Sequence, residues 1–187
     1  MSQPNDFSLD LKAIRDRARK HMEGGAVTEN YQGDVQKAVK VLNQALATEL
    51  VCVLRYKFHA VTASGINSEG VKSEFAEHAA EEAEHADQIA ERINQLGGKP
   101  DFNPEGLAQR AHSQYVEGQS LVEMIQENLV AERIAVETYR EMVRYFSDHD
   151  PTTRRLLEGI LAKEEEHADE MKDLLEARQL KTSPKSS

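Results

Sequence analysis

The sequence predicts an all-α protein, an antiparallel four-helix bundle with a long crossover between its second and third helices. Charged residues make up 30% of the 187 residues, aromatic residues only 5%, and tryptophan is absent. This composition is typical of helices with solvated outer faces rather than of short packed strands. Four long segments also carry apolar residues at helical spacing, joined by connections that are short, long and short. That order is typical of a bundle with one crossover.

Helix A is predicted from about Asp34 to Ser64, where the chain has no proline or glycine. Helix B follows Asn67 and Ser68 as candidate caps and ends at the pair Gly97–Gly98. Each helix shows one apolar face at the spacing that a buried stripe requires. The stripe of helix A is Val35, Val39, Leu42, Leu46, Val53, Tyr56, Ala60 and Ala63, and that of helix B is Val71, Phe75, Ile89, Ile93 and Leu96.

Helix C begins near Ser120, after a long irregular stretch in which a short helical turn is expected after Pro104. Helix D begins at Asp150–Pro151, because a capping residue followed by proline is a common helix start, and it is expected to end near Arg178. Residues 1–31 are predicted to be an N-terminal extension with a short amphipathic helix, residues 32–178 the bundle, and residues 179–187 a disordered polar tail.

Six ionisable residues lie on the apolar stripes, where a bundle should be apolar. They are Glu49 on helix A, Glu82 and His85 on helix B, Glu132 on helix C, and Glu164 and His167 on helix D. The four glutamates lie near the middle of their helices, within roughly 3 Å of helical rise, so they should meet at one level. Each histidine follows its glutamate by one turn on the same face. The halves also repeat each other, since EEAEHADQI and KEEEHADEM align on their histidines.

Four buried carboxylates repel one another and require compensation. No lysine or arginine is expected in the core to pair with them, so a bundle of merely paired charges is the weaker interpretation. Two divalent first-row cations such as Fe²⁺ or Mn²⁺ would neutralise the four charges and accept oxygen and imidazole ligands. A Glu from each of two helices and Glu-x-x-His from the other two is the known ligand pattern of di-iron carboxylate bundles. The sequence therefore predicts a centre for two metal ions.

Composition also restricts partners and location. The net charge of −10 argues against general nucleic-acid binding and suits a protein that handles cations. The N-terminal basic residues are nearly balanced by acidic ones, so a helix that docks on an assembly is preferred to a DNA-binding arm. The single cysteine excludes an intrachain disulfide or a multi-cysteine metal site, and no apolar leader or spanning segment is evident. A soluble, cytoplasmic protein without membrane partners is expected.

At these residues the chain resembles the ferritin superfamily and, most specifically, the bacterioferritins. NQALATELVCVLRYKFHA is similar to their first helix, LVAERIAVETYREM to their third, and the two E-x-x-H-x-D segments to their second and fourth. The resemblance implies a ferroxidase centre in which Glu82 and Glu164 bridge two iron ions. The terminal ligands that it implies are Glu49, His85, Glu132 and His167, and the surrounding hydrogen-bonding groups are Tyr56 and Tyr139.

The chain departs from bacterioferritins at three points. Their haem-binding methionine follows the bridging glutamate of helix B, but Ala83 stands here, so no haem is predicted at that position. An N-terminal extension without a fifth helix resembles Dps proteins, which form 12-subunit shells, and a homo-oligomeric shell of 12 rather than 24 subunits is expected. Dps proteins, however, place iron between subunits. A Dps-like shell with a bacterioferritin-type centre resembles the thioferritins, whose cysteine pair a chain with only Cys52 cannot supply.

These observations predict a ferroxidase that oxidises Fe²⁺ with O₂ or H₂O₂ and stores the ferric product. The alternatives are a dimanganese catalase, a peroxidase-like enzyme or an oxygenase on the same bundle, and a DNA-protecting shell. Cys52 is expected to be a small buried side chain, although a redox role stays open. His78 is interpreted as an ordinary helix histidine rather than a metal-transit group, and no signal separates His59, His112 and His149 from the surface.

Overall fold

The computed structural model describes residues 7–65 and 68–182, with side chains through residue 178. Helices are the only regular elements in these residues, which confirms the all-α prediction. They are α1 (Leu11–Ala18), α2 (Val35–Thr62), α3 (Ser68–Gln95), α4 (Leu107–Arg110), α5 (Leu121–Phe146) and α6 (Pro151–Thr182), with a short 3₁₀ turn at Met22–Gly24. Helices α2, α3, α5 and α6 are the predicted helices A to D.

Side-chain caps set the starts of three bundle helices. Asp34 accepts a hydrogen bond from the backbone of Lys37 at the start of α2. Ser120 caps α5 and Asp150 caps α6 in the same way, at distances of 3.2 and 2.9 Å. Such caps satisfy amide groups that have no partner inside the helix. The predicted cap Asn67 lies outside the described residues.

Helix ends agree with the predictions except at the C-terminus. Gly97 follows α3 with a positive φ of 76°, and a Cβ on Gly98 would come within 2.5 Å of a Val39 methyl, so glycine lets the chain turn close to α2. The short turn after Pro104 is α4. Helix α6 continues to Thr182, so the prediction of a non-helical tail from residue 179 is wrong for the first four residues. Residues 183–187 lie outside the described part.

The buried apolar residues form two clusters separated along the bundle. The larger cluster includes Leu42, Leu46, Ile89, Ile93, Phe146, Leu157 and Ile160, and the smaller includes Val71, Phe75, Ile125 and Met171. Burying one such side chain stabilises the fold by about 1.5–3 kcal/mol. Helix α2 packs chiefly on α3, and α5 on α6. No helix in residues 7–65 or 68–182 has the length and apolar character to span a membrane.

Candidate metal centre

All six predicted site residues lie between the two apolar clusters. The four glutamates are at most 1% exposed, His167 is fully buried, and His85 is 6% exposed. On every bundle helix the glutamate falls between residues of the larger cluster and residues of the smaller one. The expectation that these side chains interrupt the core at one level therefore agrees with the structure.

The six residues form two overlapping groups of possible metal ligands. The first group is Glu49, Glu82, His85 and Glu164, and the second is Glu82, Glu132, Glu164 and His167. In each group one ligand atom per residue lies within 4.8 Å of the others. Glu82 and Glu164 belong to both groups. Two cations held here would therefore share these two carboxylates, while the other four residues would each serve one cation.

The donor atoms of this centre converge without bonding one another. Nδ1 of His85 lies 3.0 Å from Oε1 of Glu164 and 3.4 Å from Oε2 of Glu82. Nδ1 of His167 lies 3.6 Å from Oε1 of Glu82 and 3.9 Å from Oε2 of Glu132. The buried atoms without a hydrogen-bond partner in the described residues include Glu49 Oε2, both oxygens of Glu82, Glu132 Oε2, Glu164 Oε1 and Nδ1 of both histidines. Buried polar atoms are normally bonded, so this set fits cations as the missing partners.

Two tyrosines orient the outer carboxylates. Tyr56 on α2 donates its hydroxyl hydrogen to Oε1 of Glu132 on α5, and Tyr139 on α5 donates to Oε1 of Glu49 on α2. In both carboxylates the bonded oxygen faces the tyrosine and the other oxygen, Oε2, has no partner. Hydrogen bonds of this kind fix the direction in which a ligand presents its free atom.

Glu81 is a further part of the centre. Its Oε2 lies 2.7 Å from Nε2 of His167. Its other oxygen lies 3.3 Å from Nζ of Lys163. The bond to Nε2 leaves Nδ1 of His167 directed at the glutamates. In the sequence, only its position directly before Glu82 indicates a role for Glu81. The spacing along α3 does not reveal that its partner is His167 on α6.

The pKa values show how protons compensate the charges. Burial, followed by the charge on Glu82, raises the pKa of Glu49 to about 8 and also raises the pKa of Glu132 and Glu164. Burial alone would raise the pKa of Glu82, but the adjacent His167 and His85 side chains lower it. Burial opposes protonation of the histidines, yet the carboxylates raise the pKa of His85 to about 10 and of His167 to about 9. Cations must therefore displace protons in order to bind.

Two histidine assignments from sequence need correction. His78 is 1% exposed and stacks on His167 with ring centroids 4.0 Å apart, so it is not the ordinary helix histidine that the sequence indicated. His59 is fully buried, with Nε2 2.7 Å from the Glu117 carbonyl oxygen and Nδ1 3.0 Å from the Asn128 amide. His112 and His149 are exposed.

The expectation of a core without cations is also wrong. Arg55 is fully buried, donating to Oδ1 of Asn128 at 2.9 Å and to the Gln114 carbonyl at 3.1 Å. Arg92 is 8% exposed and donates to both carboxylate oxygens of Asp150. Their partners are the crossover, α5 and the start of α6 rather than the four glutamates. Cys52 is buried as predicted, and burial raises the pKa of its thiol well above the ordinary value.

Comparisons with known proteins agree with this architecture. A family model for the ferritin-like domain matches residues 39–180. The chain is 30% identical over 145 residues to the DNA protection during starvation protein of Pyrococcus furiosus, covering 76% of this chain and 78% of the relative. It is 30% identical over 146 residues to the bacterioferritin of Streptomyces coelicolor, covering 78% and 83%.

Solved structures give the same result. The dodecameric thioferritin of Bacteroides fragilis matches with a TM-score of 0.77 and 33% identity, over 82% of this chain and 94% of that chain. The bacterioferritin of Desulfovibrio desulfuricans matches in fold, with a TM-score of 0.68 and 24% identity over 76% and 80%. The structural match to a ferritin-like bundle with a long crossover agrees with the predicted fold class. The chain belongs to the ferritin-like family.

Proposed function

We propose that the protein is a ferroxidase that oxidises Fe²⁺ at this centre and stores the ferric product in an oligomeric shell. One observation carries the proposal. Two groups of buried carboxylate and imidazole ligands share Glu82 and Glu164, and seven of their atoms lack partners in the described residues. Four carboxylates balance the charge of two Fe²⁺ ions, and hard oxygen ligands with imidazole suit first-row metals.

The residues of the centre have distinct proposed roles toward the substrate iron. Glu82 and Glu164 bridge two ions, while Glu49 with His85 and Glu132 with His167 complete one ion each. Tyr56 and Tyr139 hold the outer carboxylates in position. Two Fe²⁺ lose one electron each, and H₂O₂ with two protons takes them up to give two waters; O₂ is the alternative acceptor. The apolar clusters on both sides keep bulk water from the ligands.

The shell is proposed to contain 12 subunits rather than 24. The dodecameric thioferritin of Bacteroides fragilis supports this number, since it matches over most of both chains. A cysteine pair is not proposed, because the chain has only Cys52. We propose no haem at Ala83, where the side chain is a methyl group. A reducing, cytoplasmic location remains part of the proposal.

Two alternatives keep the same fold. Manganese suits the same ligands, so a dimanganese catalase or peroxidase-like enzyme would use the centre without storing metal. Two relatives are named for DNA, the protein of Pyrococcus furiosus and a nutrient stress-induced DNA-binding protein of Synechococcus that is 32% identical over 130 residues. DNA protection is the weaker alternative, since the net charge is −10 and it leaves the buried glutamates unexplained.

The test is the iron retained per chain after Fe²⁺ is added with O₂ or with H₂O₂, measured on the peak from a sizing column. Iron far above two per chain on a large assembly would support a storage shell. Iron that stops at two or fewer on a small oligomer would refute storage and favour an enzyme. Glu82→Gln should slow the initial oxidation at least tenfold, whereas Glu84→Gln, an exposed neighbour on α3, should match wild type. Equal rates in both variants would refute the proposed centre.

A further inference from the structure

One further group of possible ligands in the described residues lies wholly outside the six residues of the centre. This outer cluster consists of Glu74 and His78, one turn apart on α3, and Glu170 on α6, with one ligand atom of each within 4.8 Å of the others. The imidazole of His78 is only 1% exposed, whereas the side chains of Glu74 and Glu170 are 32% and 40% exposed. The cluster therefore has a buried nitrogen at its base and two carboxylates at the protein surface.

Hydrogen bonding fixes which nitrogen of His78 carries the proton. Nδ1 lies 3.1 Å from the hydroxyl oxygen of Tyr56. Tyr56 donates its single hydroxyl hydrogen to Glu132, so toward His78 its oxygen acts as an acceptor. Nδ1 must then be the N–H donor, and in the neutral ring Nε2 carries a lone pair. The stack on His167 holds the ring in this orientation.

This lone pair points at two negative groups. Nε2 of His78 lies 2.9 Å from Oε2 of Glu170 and 3.7 Å from Oε1 of Glu74. Without a cation the 2.9 Å contact is a hydrogen bond that requires one proton, and a cation bound by the three ligand atoms would replace that proton. A metal cation at this position would bind the lone pair of a neutral His78 ring together with both carboxylates.

The surrounding charges also favour a cation. Burial, followed by the charge on Glu74, raises the pKa of Glu170, which indicates that the two carboxylates repel each other. Lys163, on the same helix as Glu170, is already bound by Glu166 at 2.8 Å and by Glu81 at 3.3 Å. Negative charge at the outer cluster therefore remains without a matching positive side chain among these neighbours.

We propose that Glu74, His78 and Glu170 form a third metal site, which binds one divalent first-row cation through one imidazole nitrogen and two carboxylates. This ligand set suits Zn²⁺, Fe²⁺ and Mn²⁺. The exposed carboxylates leave the remaining coordination positions open to solvent, so the ion exchanges with the medium. The inference goes beyond the proposed function, because none of its three ligands belongs to the two-metal centre.

Zn²⁺ is a suitable probe, because it binds the same ligands without oxidation. Equilibrium dialysis of the full chain should give three Zn²⁺ per chain for wild type and two for Glu170→Gln. Glu77→Gln is the matched control, since Glu77 is an exposed glutamate on α3 outside the cluster, and it should keep all three. Diffraction at the zinc absorption edge should show one ion about 2.0–2.1 Å from Nε2 of His78.

The outcomes separate this site from the centre. Two Zn²⁺ in both wild type and Glu170→Gln, with none near His78, would overturn the third site and leave the centre intact. If Glu77→Gln lost the third ion to the same extent as Glu170→Gln, the third site would also be overturned, because general surface charge would then explain the binding. An ion that is lost in Glu170→Gln but unaffected by Glu82→Gln supports the site even if the two-metal centre fails its own test. Since Glu170 is partly exposed, its isosteric variant should fold, and circular dichroism would verify this.

Discussion

Thermal stabilisation by Mn²⁺ tests the two-metal centre without any assay of activity. Glu82 belongs to both ligand groups and both of its oxygens lack partners, so Glu82→Gln should weaken both sites at once while keeping the side-chain volume. An ion that binds only the folded state stabilises it by about 2.7 kcal/mol at roughly 100 times its Kd. Two ions therefore contribute about 5 kcal/mol.

The expected shift in Tm follows from the size of the chain. For 187 residues, each kcal/mol should raise Tm by about 2–4 °C, so Mn²⁺ should raise the wild-type Tm by about 10–20 °C. Glu82→Gln should lose most of this gain relative to its own metal-free Tm, and differential scanning calorimetry measures both values. A cation at the outer cluster would contribute equally to both proteins, so the difference reports on the centre alone.

The matched control is Glu84→Gln, which removes the same charge from an exposed position two residues away. Its Mn²⁺ shift should equal that of wild type. A full shift in Glu82→Gln would refute the assignment of this residue as a bridging ligand. An equal loss in both variants would show that the shift depends on overall charge rather than on the buried carboxylates.

Three further predictions concern the surroundings of the centre. Tyr56→Phe removes the hydrogen bond to Glu132, and the affinity for Mn²⁺ in a calorimetric titration should fall about 10–100-fold; an unchanged affinity would show that the bond does not orient the ligand. Asp150→Asn leaves Arg92 buried without its carboxylate and should lower the free energy of unfolding by about 3 kcal/mol in urea at neutral pH. Burial alone would raise the pKa of Asp150, but hydrogen bonds from Thr153 and Arg92 lower it. The difference in free energy of unfolding between wild type and Asp150→Asn should therefore shrink as acid protonates the wild-type carboxylate. A difference that stays constant with pH would contradict the reasoning. Without metal the pKa is about 10 for His85 and about 9 for His167, so Mn²⁺ should release protons when it binds and should bind more tightly as the pH rises to 9. Binding without proton release in a weakly buffered solution would refute this prediction.

The bundle could be predicted from the sequence because the residues that start its helices act on backbone groups only a few positions away. Asp34, Ser120 and Asp150 cap their helices through hydrogen bonds that span three residues. The glutamates of the centre were recognisable because charge on an apolar stripe is costly and therefore conspicuous. Both signals depend on neighbours along one helix, which sequence spacing reports directly.

Side-chain contacts between segments that are far apart in the sequence could not be predicted from residue spacing. Arg55 is next to Tyr56 on α2, and nothing in its spacing indicates that its guanidinium reaches Asn128 and the Gln114 carbonyl. His78 was placed on the correct helix, but its burial depends on the stack with His167 from α6. Side chains with polar ends are hard to assign from periodicity, because burial depends on a partner that the fold supplies.

The cross-connections explain why the centre needs both halves of the protein. Tyr56 in the α2–α3 hairpin donates a hydrogen bond to Glu132 in the α5–α6 hairpin, and Tyr139 in the α5–α6 hairpin donates one to Glu49 in the α2–α3 hairpin. Neither hairpin alone contains a complete ligand group, since each group joins carboxylates from both. The buried carboxylates oppose docking of the hairpins when protons are the only compensation, whereas cations that bind only the docked state favour it. Metal binding should therefore stabilise the contact between the hairpins more than either hairpin itself. Backbone amides of residues at that contact should gain the most protection from hydrogen exchange.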